Sequence, residues 1–262
     1  MPDPTAPAAA LRGVPRQIAV VLAVAVNLVL NGLAGAGALF GVQTGAVSDG
    51  VPTGVTPAGW AFGIWTVIFG MLVLYAGFQA LPARRGPRYD APAVPFVLAN
   101  VLNGLWQIPW LTQHFGIALA VIVGILASLV WLYVVHGRMR LRGSEVWAMG
   151  LPGSYFLAWI AVATALNATI WLRSLGWSGP ETVWAPAVVL ALGGVGAALL
   201  SRTGDTAVAA VLLWAFAGVY AAHAAALPTV VACAVAAAAV VAAAVAGAIR
   251  RAGPATARRV SR

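Results

Sequence analysis

The stretch VPFVLANVLNGLWQIPWLTQHFGIALAVIVGILASLVWLYVVHGRMR, residues 94–140, decides the fold class of this chain. It holds two long apolar runs, 94–111 and 117–136, and no charged residue before Arg138. A helix needs about 20 apolar residues to cross the hydrocarbon core of a bilayer, with a range of roughly 17–25. Both runs meet that length, and basic residues follow the second. The stretch therefore predicts two consecutive transmembrane helices.

The composition of the whole chain agrees with a membrane protein. Of its 262 residues, 62% are hydrophobic and 8% are charged, whereas soluble domains carry roughly 25% charged residues. This balance excludes a soluble multidomain enzyme, a disordered chain and a disulfide-stapled secreted module. The single cysteine, Cys233, lies in an Ala/Val run. It can form neither an internal disulfide nor a cysteine-based metal site.

Eight apolar runs in the chain are candidate transmembrane helices. They cover residues 18–41, 59–81, 94–111, 117–136, 149–172, 183–200, 206–227 and 229–249. The eighth run is the weakest, because it consists almost entirely of Ala and Val. Its Val and Ile residues supply an insertion free energy of only about −2 to −4 kcal/mol. A neighbouring helix would have to assist its insertion.

The distribution of charge predicts how these helices are oriented. All 15 basic residues are arginines, grouped in short segments between the apolar runs. A cytoplasmic N-terminus with eight spans leaves only Arg173 outside, in agreement with the excess of basic residues in cytoplasmic loops. We therefore predict a multi-pass protein of a bacterial inner membrane with both termini in the cytoplasm. The arginines lack the interleaved aromatics of a nucleic-acid surface, so we expect no nucleic-acid partner.

The character of the runs changes along the chain. The first five are rich in Trp, Asn and Gly, whereas the last three become a low-complexity Ala/Val sequence. We predict an all-α membrane protein with a five-helix transmembrane bundle and about three additional transmembrane helices. The predicted segments are a cytoplasmic tail (1–17), the bundle (18–175), the additional helices (176–250) and a basic cytoplasmic tail (251–262).

Amide side chains form a stripe on the third run. Steps of three and four residues place its polar and indole side chains on one helical face, and a similar step occurs in the first run. The residues concerned are Asn100, Asn103, Trp106, Gln107 and Trp110, with Asn27 and Asn31 in the first run. Amides facing lipid would be unsatisfied, so the stripe must face protein or a polar cavity. Interhelical hydrogen bonds and a ligand cavity explain it equally well.

Aromatic side chains form a second group. Phe62, Trp65 and Phe69 share one face at the start of the second run, and Trp159 lies within the fifth. Tryptophans near the ends of transmembrane helices belong to the interfacial aromatic belt. Trp65 and Trp159 lie about a turn or more inside their runs, where that explanation fails. They are therefore candidate ligand-binding residues.

Ionisable side chains are almost absent from the apolar runs, which argues against pumps, ion-coupled carriers and voltage sensors. His223 is the exception, and a hydrogen bond to a neighbouring helix explains it. The sequence has no Ser-His-Asp order, no paired carboxylates and no metal-ligand spacing. We expect no catalytic residue, no metal and no resident cofactor.

Glycines recur at steps of four residues in two places. Gly37 and Gly41 lie at the end of the first run and Gly45 follows it, whereas Gly59 and Gly63 begin the second run. Such spacing would let helices approach closely. As a dimerisation signal this spacing is weak, and a homodimer stays one of the alternatives for the oligomeric state.

Three blocks of sequence carry a family resemblance. They are PAGWAFGIWT at 57–66, LNGLW at 102–106 followed by GIAL at 116–119, and LAWIAVATALNATIW at 157–171. Together they resemble, in the same order, the tryptophan-rich sensory protein family, also called translocator proteins or TspO/MBR. The chain is similar to a longer variant of that family with extra C-terminal helices.

The resemblance implies a five-helix bundle with a cavity open toward one membrane face. Family members bind tetrapyrroles and, in some cases, sterols; Ala168 stands where the sterol-contact motif has tyrosine, which argues against a sterol here. Carried over by position, with Phe62 added from the aromatic face, the predicted ligand-binding residues are Phe62, Trp65, Asn103, Trp106, Trp159, Ala163, Leu166 and Asn167.

The leading hypothesis is a membrane protein that binds, senses or transports a flat amphipathic molecule such as a porphyrin or haem intermediate. Indole faces offer stacking surfaces, and a few amides can orient a ligand in an apolar pocket. These indole and amide side chains favour a binding protein, although enzymatic activity stays an alternative. One alternative is light-dependent porphyrin breakdown with Trp65 or Trp159 as electron donor. Another is a transporter of a different class or a structural membrane partner.

Overall fold

A computed structural model describes the backbone of residues 11–256 and the side chains of residues 11–251. Residues 1–10 of the predicted N-terminal tail lie outside the described residues. So do residues 257–262 of the predicted C-terminal tail, with Arg258, Arg259 and Arg262. Within residues 11–256 the chain forms helices and turns and no strand, which confirms the all-α prediction.

The helices follow the predicted apolar runs closely. The α-helices are α1 (Gly13–Gly35), α2 (Thr44–Gly50), α3 (Ile64–Ala80), α4 (Ala93–Leu111), α5 (Phe115–Met139), α6 (Leu151–Ser174), α7 (Glu181–Thr203), α8 (Thr206–Ala222) and α9 (Leu227–Thr256). A 3-10 helix, Gly59–Gly63, leads into α3, and a π-helical turn, Val146–Gly150, leads into α6. Each of the eight predicted runs therefore contains most of one α-helix.

Seven helical segments of the described residues are long and apolar enough to cross a membrane. They are Gly13–Gly35, Gly59–Ala80, Pro87–Leu111, Phe115–Met139, Val146–Ser174, Glu181–Thr203 and Leu227–Arg251. The eighth predicted run, expected to be the weakest, is among them. The shorter apolar helix is instead α8, with 17 residues. Helix α8 ends at Ala222, and α9 begins five residues later with Pro228 in its first turn, where proline is tolerated.

The first apolar run ends earlier than predicted. Helix α1 stops at Gly35, and the chain then turns through Gly37 and Gly41, whose φ angles are 72° and 70°. Glycine adopts this left-handed region without the steric penalty that a Cβ brings. The prediction that these two glycines pack helices together is therefore wrong. A Cβ added at Gly41, Gly59 or Gly63 would meet open space.

The described residues form two compact units. Of the described residues, unit one contains 11–44 and Thr66–Gly153, and unit two contains Gly45–Trp65 and 154–256. The predicted boundary at residue 175 falls inside unit two. The assignment of residues 18–175 to a separate ligand-binding bundle stays a prediction.

In unit one, α4 packs against both α1 and α5. Its core is apolar and aromatic. The Tyr75 and Phe96 rings stack with their centroids 3.7 Å apart, and Ile68 and Leu72 of α3 are also fully buried. A stacked aromatic pair adds about 0.5–1.5 kcal/mol to the burial of its surface.

In unit two, small residues let α7, α8 and α9 approach closely. A Cβ added at Gly193 of α7 would lie 2.6 Å from the Cβ of Ala236, and one added at Gly196 would collide with Leu212. The connection between α7 and α8 is equally compact. Gly204 ends α7 with a φ of 52°, and the Asp205 side chain caps α8 by accepting from the backbone N–H of Ala207. The Ala/Gly-rich sequence thus provides tight helix contacts.

Candidate functional site

The amide stripe of α4 meets the polar pair of α1 in unit one. Asn27 lies at the centre of the contact. Its Nδ2 donates to Oδ1 of Asn100 over 2.9 Å, and its Oδ1 accepts from Nδ2 of Asn103 over 2.8 Å. Nδ2 of Asn31 donates to the same oxygen over 2.7 Å. Asn27, Asn100 and Asn103 are at most 1% exposed, so these amides satisfy one another away from solvent.

The amide contacts continue toward the end of α4. Nε2 of Gln107 donates to Oδ1 of Asn31 over 2.6 Å, and Oε1 of Gln107 accepts from Thr44 Oγ1 over 2.8 Å. The Trp110 indole N–H then donates to the Thr44 carbonyl over 3.0 Å. Of the two explanations for the stripe, interhelical hydrogen bonding is therefore the one that the structure shows.

Gly104 makes this pairing geometrically feasible. A Cβ at this position would lie 3.0 Å from the Leu30 side chain and 3.3 Å from the backbone Cα of Asn27. Because glycine has no Cβ, α1 and α4 come close enough for short asparagine side chains to bridge them. The glycine next to Asn103 is thus part of the amide contact.

An aromatic cluster forms in unit two where the 3-10 helix joins α3. The ring centroids of Phe62 and Trp159 are 6.1 Å apart, and those of Trp65 and Trp159 are 6.5 Å apart, both pairs edge to face. Trp65 also meets the edge of Phe156 at 6.2 Å. Trp159 is only 2% exposed, whereas Phe62 and Trp65 are half-buried. The cluster therefore has a buried centre and two partly accessible rings.

The local helix type explains why both rings reach Trp159. A 3-10 helix has roughly three residues per turn, so side chains three positions apart point the same way. Phe62 lies in the 3-10 helix and Trp65 at the start of α3. The tight turn thus places them side by side against α6.

The remaining predicted residues of α6 lie further along the helix. Leu166 lines an apolar cavity of about 20 Å³ together with Val55, Phe216 and Val219. Pockets for small-molecule ligands have volumes of about 300–1,000 Å³. A flat ligand at Leu166 would therefore require side chains to move. The amide of Asn167 is buried and donates to the carbonyl of Ala163 over 2.9 Å.

Helix α8 secures the segment that precedes the aromatic cluster. The Trp214 indole N–H donates to the carbonyl of Ala61 over 2.8 Å, and its ring meets Trp60 edge to face at 4.9 Å. The backbone N–H of Ala58 donates to the carbonyl of Gly218 over 2.9 Å. The sequence predicts α8 as one of the three helices added to the bundle. No local signal in the sequence reveals that it holds the 55–63 segment.

His223 follows α8 and contacts the same segment. Its Nε2 lies 3.0 Å from the carbonyl oxygen of Thr56. His223 therefore makes a hydrogen bond, as predicted, but its partner is the segment before the 3-10 helix and not a neighbouring helix.

The structure divides the predicted ligand-binding residues between the two units. Asn103 and Trp106 lie on α4 in unit one, where Trp106 is 9% exposed and stacks on Trp110 with centroids 4.8 Å apart. The other six residues lie in unit two; they are Phe62, Trp65, Trp159, Ala163, Leu166 and Asn167. The ligand-binding role of all eight stays a prediction.

A buried ion pair occupies one end of unit one. Arg16, predicted to lie in the cytoplasmic N-terminal tail, is inside α1 and fully buried. Its Nη1 lies 3.0 Å from Oδ1 of Asp90, and its Nη2 donates to the carbonyl of Arg84. Buried charges need such partners, because removing a charge from water is very unfavourable. Apolar length alone could not reveal it, since a charge at a helix end resembles a charge in a loop.

A second ion pair joins two turns of unit one. Arg88 makes two hydrogen bonds to Glu145: Nε donates to Oε1 over 2.9 Å and Nη2 donates to Oε2 over 2.8 Å. The Tyr89 hydroxyl donates to Oε1 over 2.9 Å, and the backbone N–H of Arg142 donates to Oε2 over 3.2 Å. The hydrogen bonds from Arg88, with smaller contributions from those of Tyr89 and Arg142, lower the pKa of Glu145 to about 2. The carboxylate therefore stays charged at neutral pH.

Comparison with known proteins identifies one family. The model of a family described as TSPO-like protein matches residues 17–247. The match covers most of α1, all of α2–α8 and most of α9, including the helices predicted to be additions. No curated protein and no solved structure matches the chain.

Proposed function

The chain belongs to the TSPO-like protein family and is an all-helical membrane protein, and on this premise we propose that it binds a flat amphipathic molecule of the tetrapyrrole class. The observation that supports this proposal is the aromatic cluster of unit two. Trp65 and Phe62 remain half-buried, although Trp159 behind them is almost fully buried. Partly exposed indole and phenyl faces can stack on a planar ring system.

Hydrogen bonds from α8 fix the backbone of the segment that precedes the aromatic cluster. Trp214 and Gly218 hydrogen-bond the backbone of the 55–63 segment, which contains Phe62 and leads into the helix that carries Trp65. A pre-positioned aromatic surface loses little side-chain entropy when a ligand binds. We propose that the ligand stacks on Trp65 and that Trp159 supports this ring from behind.

The test is the affinity of purified full-length protein for protoporphyrin, compared between Trp65→Phe and the wild type. Loss of an indole stacking face corresponds to roughly 0.5–1.5 kcal/mol, a few-fold to about tenfold weaker binding. The matched control is Trp184→Phe, because Trp184 also lies in unit two but contacts Trp177 and the Gly179 carbonyl. Equal affinities of the Trp65 variant and the wild type for protoporphyrin would contradict the proposal that the ligand stacks on Trp65.

Two variants are unsuitable for this comparison. Trp214→Phe removes the hydrogen bond to Ala61 and so disturbs the cluster indirectly. Asn103→Leu breaks the hydrogen bond to Asn27 and so acts on the folding of unit one. Neither variant separates ligand binding from packing.

The alternative functions make different predictions in the same assay. Light-dependent loss of porphyrin absorbance that disappears in Trp65→Phe or Trp159→Phe would indicate photochemical breakdown with an indole as electron donor. A transporter of another class, or a structural partner, would show no saturable porphyrin binding. The aromatic cluster favours the binding protein.

We also propose that both termini face the cytoplasm of a bacterial cell and that α8 completes the seventh of eight crossings. Reporter fusions ending after Arg202 and after Arg251 should report a cytoplasmic end, and a fusion ending after Leu227 should report the outside. The reason is the positive-inside bias of the arginine segments. Identical locations for the Arg202 and Leu227 fusions would show that α8 does not cross.

A further inference from the structure

A partly open cavity of about 540 Å³ lies at the basic end of unit one. It is formed by the turns that follow α3 and α5. The charged residues that line it are Arg84, Arg88, Arg140, Arg142 and Glu145. Its volume falls within the range of about 300–1,000 Å³ that is usual for small-molecule sites.

The lining carries a strong excess of positive charge. Four guanidinium groups face one carboxylate, and Glu145 is already bound by Arg88 on both of its oxygens. Within residues 11–251, neither Arg140 nor Arg142 makes an ion pair. Two charged side chains thus remain available for an anion.

Two of the four arginines are held in position by the protein itself. Nη1 of Arg84 donates to the Tyr89 hydroxyl over 2.6 Å, and its guanidinium carbon lies 4.3 Å from the centroid of the Phe78 ring. Nε of Arg84 is buried and has no hydrogen-bond partner. Arg88 is fixed by Glu145 and by the Met139 carbonyl, which is 3.0 Å from its Nη2. A bound anion would therefore meet guanidinium groups that are already oriented.

The chain also accepts an unfavourable backbone conformation beside this cavity. Arg140 ends α5 with φ of 51° and ψ of 64°, in the left-handed region that is usually occupied by Gly or Asn. This conformation is unfavourable for an L-residue, because its Cβ lies too close to the following carbonyl oxygen. The cost falls on a residue that lines the cavity.

We propose that this cavity binds a phosphate group. Guanidinium groups match the geometry of phosphate oxygens and donate paired hydrogen bonds to them. The turns that form the cavity connect the second span to the third and the fourth span to the fifth. Two membrane crossings separate these turns, so both lie on the same side of the membrane. Basic pockets at the ends of transmembrane helices bind the headgroups of anionic lipids. The phosphate can therefore come from a phospholipid headgroup or from a soluble phosphate compound.

The test compares the double variant Arg140→Gln/Arg142→Gln with the wild type, each as delipidated full-length protein in detergent. One arm titrates phosphatidylglycerol against zwitterionic phosphatidylcholine and counts bound lipid by native mass spectrometry. The other arm titrates inorganic phosphate against chloride at equal ionic strength and measures binding by calorimetry. We expect at least one phosphate probe to bind the wild type saturably and the double variant at least tenfold more weakly. Both residues are exposed, so the variant should fold normally.

The matched control is Arg202→Gln/Arg250→Gln, which removes two exposed arginines from helix ends in unit two. We expect it to bind as the wild type does. Binding of phosphatidylglycerol alone would identify a lipid headgroup as the source, and binding of inorganic phosphate would identify a soluble compound. The proposal is overturned if neither probe binds the wild type, if the Arg140/Arg142 variant binds as tightly as the wild type, or if the control weakens binding equally.

Discussion

Replacing Asp90 by asparagine should lower the free energy of unfolding by about 3–5 kcal/mol, because the change leaves the buried charge of Arg16 without its partner. Arg16 is fully buried, and its Nη1 lies 3.0 Å from the Asp90 carboxylate. The remaining carbonyl acceptors, those of Gly86 and Arg84, cannot neutralise a guanidinium. Denaturant titration of the protein in mixed micelles would measure the loss.

The control for this prediction is an exposed ion pair of the same chemistry. Nη2 of Arg173 lies 3.5 Å from Oε1 of Glu181, and both side chains are about a third or more exposed to solvent. Surface pairs contribute about 0–1 kcal/mol, so Glu181→Gln should have little effect. A similar small effect of Asp90→Asn would contradict the claim that the pair with Arg16 is a buried requirement of unit one.

Replacing Asn27 by leucine should destabilise the protein by about 2–4 kcal/mol. The change removes the side chain that binds Asn31, Asn100 and Asn103 at once. Single interhelical hydrogen bonds in membranes contribute about 0.6 kcal/mol on average and up to about 1.7. Buried amide groups left without partners add a penalty. The same unfolding titration would measure this loss.

Ser128→Ala serves as the comparison in the same unit. Ser128 is buried, but its hydroxyl donates only to the carbonyl of Gly124 within its own helix, over 2.8 Å. Its removal deletes one local hydrogen bond and no contact between helices. Equal losses for the two variants would mean that the amide contact between α1 and α4 contributes nothing special to the fold.

The helices could be predicted because the length of an apolar run directly reflects the thickness of a bilayer. The start of α4 at Ala93 and the start of α5 at Phe115 agree with the predicted runs within two residues. The early end of α1 could not be predicted in this way. It depends on a left-handed turn at Gly37, and hydropathy does not distinguish a glycine in a turn from one in a helix.

The amide stripe was partly predictable. Its spacing shows that Asn100 and Asn103 cannot face lipid, and the spacing of Asn27 and Asn31 supplies a candidate partner. Which helix faces which is a tertiary property, however, and the stripe alone could not decide between a hydrogen-bonded contact and a cavity. The asparagine contacts in the structure supply that answer.

The ionic contacts of unit one could not be predicted at all. Arg16 and Asp90 are 74 residues apart in the sequence, and Arg88 and Glu145 are 57 residues apart. A charge near the end of an apolar run looks the same whether it faces water or a buried partner. The basic cavity beside Glu145 could not be predicted either, because the positive-inside rule accounts for its arginines without any ligand.

The most direct test of the proposed function is a titration of the wild-type protein with protoporphyrin, followed by its tryptophan fluorescence. If a flat ligand stacks on the cluster of Trp65 and Trp159, quenching should saturate at about one ligand per chain, as expected for a single defined pocket. A non-planar apolar molecule of similar size should not reproduce this saturation. Quenching that rises linearly with ligand, or that is the same for both molecules, would contradict the proposal that this membrane protein binds a tetrapyrrole.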